Sequence, residues 1–109
     1  LAVISARFAK PLDVALLGRL LRGGKPVVCC EDHAIIGGFG AAVIEAAVAR
    51  GLDVSRVRTM GIPDRFVSAA GRAEQLTEVG LDATHFAATM KDLLQNPTRT
   101  QTPKNTSRA

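Results

Sequence analysis

Apolar and polar positions alternate along this chain in blocks whose period changes, and each change marks an element. Residues 1–6 (LAVISA) are almost wholly apolar, the pattern of a strand buried on both faces. Arg7-Phe8-Ala9-Lys10 then carries the chain off the sheet. Leu12, Leu16, Leu17, Leu20 and Leu21 recur at three- and four-residue spacing, which predicts an amphipathic helix with Pro11 in its first turn and Gly23-Gly24 at its end. Residues 26–30 (PVVCC) predict a second strand. A second helix follows from Gly38 or Phe39 to Arg50. It is apolar at Phe39, Val43, Ala46 and Ala47 and nearly all round, so it is expected to be well buried, and Gly51 stops it.

Residues 54–60 (VSRVRTM) alternate apolar and polar, which predicts an edge or half-exposed third strand. Gly61-Ile62-Pro63-Asp64 turns off its end. Residues 65–70 read as a short helical or irregular piece, and 73–79 as a short helix closed by Gly80. Asp82 is placed to cap a last helix over 83–95, with Phe86, Met90, Leu93 and Leu94 inward. Asn96-Pro97 breaks it. The alternation β-α-β-α-β-α is the signature of an α/β fold, a three-layer α/β/α arrangement around a mostly parallel sheet. Three strands make a thin sheet, and the chain opens on Leu1 inside an apolar run. An N-terminally truncated domain is therefore expected over residues 1–95, with 96–109 as a disordered basic tail of Thr, Gln, Pro, Lys, Asn, Ser and Arg.

Composition narrows the picture. The 109 residues are 47% hydrophobic but only 4% aromatic, so the core must be built from Ala, Val, Ile and Leu. A domain of this size buries a limited fraction of its surface and leans on a neighbour for stability. The apolar runs are too short for a membrane-spanning helix, and no charged-then-apolar signal segment opens the chain. The net charge of +4 suggests nucleic acid only until its distribution is examined. Arg99, Lys104 and Arg108 lie in residues 96–109, which contain no acid, and the remainder holds 11 basic against 10 acidic residues. A nucleic-acid reader needs a basic face on its folded part, and none is visible.

Candidate chemistry is sparse. Cys29 and Cys30 are adjacent on a predicted strand, so they point to opposite faces and read as two small buried apolar residues in a reducing cytoplasm. No second Cys or His pair offers zinc spacing. Gly38-Phe39-Gly40-Ala41-Ala42-Val43 partly fits a dinucleotide fingerprint, but residues 31–36 intervene between strand and glycines, and Asp53 comes too soon for the ribose-binding acid. Glu31 and Asp32 would also repel a pyrophosphate. The glycines are better explained by close approach of a helix backbone to the sheet or a neighbouring domain. Glu31, Asp32 and His33 form a possible acid–base cluster at the carboxyl end of a strand. Consecutive residues diverge in direction, however, and carboxylates before a helix N-terminus commonly stabilise its positive end. His85 reads as a solvated residue in the first turn of the last helix. Ser5, Ser55 and Ser68 lack the glycine-flanked elbow of a nucleophile.

Several segments together carry a resemblance. Arg7-Phe8-Ala9-Lys10-Pro11-Leu12-Asp13 is similar to an RFxKPLD segment, Glu31-Asp32-His33 to an EE-H/N turn, and Gly37-Gly38-Phe39-Gly40 to GGFG. Gly61-Ile62-Pro63-Asp64 is similar to G-L/I-PD, and Gly80-Leu81-Asp82 to a GLD before the last helix. In this order, over residues 7–94, they resemble the C-terminal domain of the 1-deoxy-D-xylulose-5-phosphate synthase family, within the transketolase superfamily. Two positions depart: Ala70 stands where the family often has His, and Asp32 where it has Glu.

The resemblance implies a transketolase C-terminal-domain-like fold and a full enzyme that condenses pyruvate with glyceraldehyde 3-phosphate, releasing CO2, in non-mevalonate isoprenoid synthesis. It implies thiamine diphosphate and Mg²⁺, held by upstream domains of the same polypeptide, and a homodimer in the cytoplasm, with a plastid address left open. It carries over no catalytic, cofactor-binding or metal-binding residue, because the superfamily's Gly-Asp-Gly motif is absent from this chain. What it implies here is a supporting domain, inactive alone, with Glu31, His33, Gly37, Gly38, Phe39, Gly40, Pro63 and Asp64 as candidate structural or domain-contact residues. The remaining readings are the last domain of another superfamily member, such as transketolase or a 2-oxoacid dehydrogenase β subunit, and a free-standing module for a small ligand.

Overall fold

A computed structural model describes residues 1–96; all but Asn96 of the expected basic tail lies outside the described residues. Helix α1 (Val14–Arg22) leads into strand β1 (Val27–Ala34), helix α2 (Phe39–Ala49), strand β2 (Val57–Ile62), and helices α3 (Arg72–Glu78) and α4 (Ala83–Gln95). The two strands pair in parallel, in register from Val27 opposite Val57 to Cys30 opposite Met60. The register then shifts, and Ala34 comes opposite Ile62. This is the expected α/β fold with a parallel sheet, carrying two strands rather than three among the described residues.

Helix boundaries follow local hydrogen bonding. Asp13 caps α1, its carboxylate accepting from the Leu16 N–H at 2.9 Å, so the helix begins after Asp13 and Pro11 stands outside the first turn. At the other end Lys25 N–H bonds to Leu20 C=O and Gly24 N–H to Leu21 C=O, the paired closure that needs a left-handed residue between them. Gly24 supplies it at φ +68. Gly51 closes α2 in the same way. Helix α4 spans the expected residues, and Asp82 caps it by accepting from the His85 N–H at 2.9 Å. That hydrogen bond, and a second with the His85 ring, hold the Asp82 carboxyl below its usual range. His85 is half-exposed, as a solvated first-turn residue should be.

Three strand expectations change. Residues 1–6 form no strand: Leu1 and Val3 are exposed, and none of residues 1–10 is buried. An apolar strand needs cover on both faces and a hydrogen-bonded neighbour, and the described residues supply neither. Strand β1 continues past Cys30 to Ala34, because β2 runs to Ile62 and its carbonyl takes the Ile35 N–H at 2.9 Å. The polar triplet Glu31-Asp32-His33 is therefore strand, not connection. Strand β2 starts three residues late because the Asp53 carboxylate turns the chain, accepting from the Ser55 N–H at 2.9 Å and its hydroxyl at 3.0 Å. The first of these bonds chiefly draws the Asp53 carboxyl below its usual range. Among the described residues β2 is an edge of the two-stranded sheet, but it is more buried than its alternation suggests, with Val57, Arg58, Met60 and Gly61 buried. The buried Arg58 guanidinium donates to the carbonyls of Ser55 and Val57.

The core joins α1 and α2 to the sheet: Leu17 and Leu21, Cys29, Val43 and Ala47, and Val57. Ala47 has no exposed surface at all. Cys29 lies in this core and burial pushes its thiol up to about 11, while Cys30 on the opposite face is exposed. The expectation of two buried cysteines thus holds for one of them, as strand alternation requires. Along α4 Leu93 is buried and Phe86 and Met90 half-buried, but Leu94 points outward, since neighbouring helical positions lie about 100° apart.

Leu93→Ala should therefore lower the unfolding free energy by about 2–5 kcal/mol through the cavity it leaves. Leu94→Ala should cost less than about 0.5 kcal/mol. Urea unfolding of the two variants side by side measures the difference, and equal costs would contradict this orientation of α4.

Candidate functional site

The end of β1 and the start of α2 meet around one side chain. Glu31 leaves β1 with its carboxylate directed at the first turn of α2. Its side chain is 8% exposed. One oxygen accepts from the Phe39 N–H at 2.9 Å and the other from the Gly40 N–H at 2.6 Å. The first amides of a helix have no partner within it, and Gly38, at the N-cap position, has no side chain to offer. Glu31 supplies the cap from eight and nine residues away. Both bonds lie at the positive end of the helix dipole, where a carboxylate is favourably placed.

Gly38 makes room for that carboxylate, and Gly40 and Gly61 let α2 and the two strands approach closely around it. A Cβ on Gly38 would fall on the Glu31 carboxylate and against the Ala34 carbonyl oxygen. A Cβ on Gly40 would lie 2.5 Å from Thr59 Cγ2 on β2. On the facing strand, a Cβ on Gly61 would lie 3.0 Å from the His33 carbonyl oxygen and 3.2 Å from Glu31 Cγ. Gly37 turns the chain before them at φ +70, where a side chain would strain the backbone. Glu31 is thus held in a cage with one wall on α2 and another on β2.

The other expected site residues sit at its edge or beyond it. His33 is exposed, with Nδ1 3.2 Å from the Ala34 carbonyl oxygen and 3.7 Å from Glu31 Oε1. Phe39 contributes its backbone N–H and a half-buried ring packed against the core. Pro63 and Asp64 follow the end of β2 in a turn, where the Pro63 carbonyl accepts from the Arg65 N–H at 2.8 Å, and Asp64 is exposed. Asp32 forms an ion pair with Arg72 at the start of α3. Asp32 therefore reaches a different place from Glu31 and His33, and the three form no common acid–base centre. The partnership of Asp32 with Arg72 and the roles of Thr59 and Gly61 went unread in the sequence. The one signal for Gly61 was its place at the end of an alternating strand, where a glycine often marks close backbone approach.

Chemically, the arrangement holds an anion of its own. The Phe39 and Gly40 amides, which a phosphate would use, are occupied by Glu31. Among the described residues no group of three or more His, Cys, Asp or Glu side chains is placed to hold a metal ion. No helix among them is long and apolar enough to cross a membrane.

Comparison with known proteins sets this architecture in context. Residues 1–86 match the family described as transketolase, C-terminal domain. The curated relatives include 1-deoxy-D-xylulose-5-phosphate synthase of Geobacillus thermodenitrificans, 40% identical over 92 residues that cover 84% of this chain and 15% of the relative. The proteins of the same name from Magnetococcus marinus, 44% identical over 98 residues, and Gloeobacter violaceus, 45% identical over 92, cover 85% and 84% of this chain. The chain spans about 15% of the length of the Magnetococcus protein and 14% of the Gloeobacter protein.

Glu31→Ala, which strands two helix amides next to the sheet, should destabilise the fold by about 1–3 kcal/mol. Gly38→Ala in the otherwise native chain should destabilise it by displacing the same carboxylate. Combining the two should cost less than the sum, because the methyl group added at position 38 enters space that the truncated Glu31 has left. Chemical unfolding of the four proteins in this cycle checks the coupling, and strict additivity would contradict it.

Proposed function

The chain belongs to the transketolase C-terminal domain family, and on that premise we propose that it is the C-terminal domain of a 1-deoxy-D-xylulose-5-phosphate synthase. Residues 1–95 would make up the domain and 96–109 a basic tail. The whole enzyme would condense pyruvate with glyceraldehyde 3-phosphate and release CO2. Support comes from relatives of that name at about 40% identity across most of the chain. It also comes from the Glu31 cage, which joins the acidic end of β1, the glycine cluster and the glycine of Gly61-Ile62-Pro63-Asp64 into one packing unit.

Within such an enzyme thiamine diphosphate would supply the carbanion chemistry, and Mg²⁺ would bind its diphosphate. The described residues do not fit either group. The amides at the α2 N-terminus are taken by a carboxylate that repels a diphosphate, and no acidic or histidine cluster offers metal ligands among the described residues. No catalytic step is assigned to this chain. Its contribution is architectural: the domain supports the assembly of a homodimer whose other domains hold the cofactor, and small displacements of such a support are costly in rate. Glu31, His33 and the 37–40 turn, with Pro63 and Asp64, form the contact region in this reading. Ile36, in the same turn and exposed, adds an apolar group to it. The cytoplasm is the proposed compartment.

An antibody raised against this chain should detect, in lysate of the source organism, a polypeptide several times heavier than 11.5 kDa. The purified chain, supplied with thiamine diphosphate, Mg²⁺ and pyruvate, should release no CO2. In the whole enzyme Gly40→Val should impair dimer assembly or solubility. A native product of the chain's own mass, or CO2 release by the chain alone, contradicts the proposal.

A further inference from the structure

The second carboxylate of the acidic pair has its own partner. Neighbouring strand residues direct their side chains to opposite sides, so Glu31 reaches α2 while Asp32 reaches Arg72 at the first position of α3. Both members of the second pair are more than half exposed. Helix α3 buries none of its residues.

The segment around α3 is tied chiefly to itself. Arg65 donates to the Glu78 carboxylate at 2.9 Å and to the Glu78 carbonyl at 3.1 Å, and Gln75 donates to the Ser68 carbonyl at 3.1 Å. These bonds clasp the irregular residues 65–70 against α3. Between the segment and the sheet lies an open hollow of about 100 Å³, lined by Asp32 and Ile62 of the strands and by Val67, Arg72, Gln75, Leu76 and Val79 of the segment. A void on this side means that the apolar contact between the segment and the sheet is incomplete, so dispersion and burial hold it weakly.

We propose that residues 65–79 form a flap that undocks from the sheet as a unit, with the Asp32–Arg72 ion pair as its strap. The internal clasp keeps the flap's own structure while the strap opens. The flap is salt-sensitive, because the pair is exposed and the screening length falls from about 10 Å at 0.1 M to about 3 Å at 1 M ionic strength. An exposed pair shifts such an opening equilibrium by about 1.5- to 5-fold. Opening uncovers Ile62, Val67, Leu76 and Val79, beside the end of β1 that also carries Glu31.

Hydrogen exchange read by mass spectrometry on the protein at 0.1 M and 1 M NaCl tests this inference. Peptides from residues 65–79 should exchange about 1.5- to 5-fold faster at high salt, while those from residues 39–49 stay unchanged. Asp32→Asn should raise exchange of 65–79 by a similar factor at low salt and leave only the smaller salt dependence of the Arg65–Glu78 clasp. The charge-reversed pair Asp32→Arg with Arg72→Asp should restore both. Salt-independent exchange of 65–79, or an increase shared equally by 39–49, would overturn the flap. So would an Asp32→Asn protein whose salt response is undiminished.

Discussion

A helix whose N-cap is a glycine with no side chain starts with unbonded amides, and here a glutamate from the neighbouring strand bonds two of them. That single carboxylate fixes three things together. It sets how α2 approaches the sheet, since both its oxygens are spoken for by Phe39 and Gly40. It requires that no side chain occupy position 38, while the approach it sets leaves no space for one at position 40 against Thr59. It also places α2 so that Val43 and Ala47 face Leu17, Leu21, Cys29 and Val57 in the core. Burial supplies most of the stabilising free energy of such a layer, but burial is non-directional. The Glu31 cage gives the layer its register.

The same cap occupies the N-terminus of α2. Helix N-termini at the carboxyl ends of parallel strands are the usual seat of phosphate ligands in α/β proteins. An internal carboxylate at that seat closes it to anions. The glycine-rich turn, which in isolation resembles a nucleotide-binding fingerprint, is therefore accounted for by packing. The architectural role proposed above is compatible with a family match across residues 1–86 and with relatives several times the chain's length.

Much of this was legible in the sequence, because the signals concerned are local. The leucine spacing of α1, the apolar surround of α2 and the Asp82 cap each act within a turn or two of chain, and α4 emerges over its expected residues. The glycines marked a close approach, though not what approaches. Strand limits were less legible because they depend on the neighbouring strand. The continuation of β1 through Glu31-Asp32-His33 follows from pairing with Ile62, and the late start of β2 from a side-chain turn at Asp53. The apolar run 1–6 shows the limit most clearly: its pattern specifies a buried strand, and burial is a property of what lies around it. Least legible were pairs across long stretches of sequence, Asp32 with Arg72 and Gly40 with Thr59, where neither residue type announces its partner.

The most direct measurement is amide exchange at Phe39 and Gly40, resolved residue by residue by NMR. Amides in the first turn of a helix ordinarily exchange freely because the helix gives them no partner. With Glu31 bonded to both, they should exchange as slowly as the mid-helix amides of Val43 and Ile44, and Glu31→Ala should release them to free first-turn rates. Fast exchange of Phe39 and Gly40 in the native protein, or protection that survives Glu31→Ala, would contradict the claim that this carboxylate caps and positions α2.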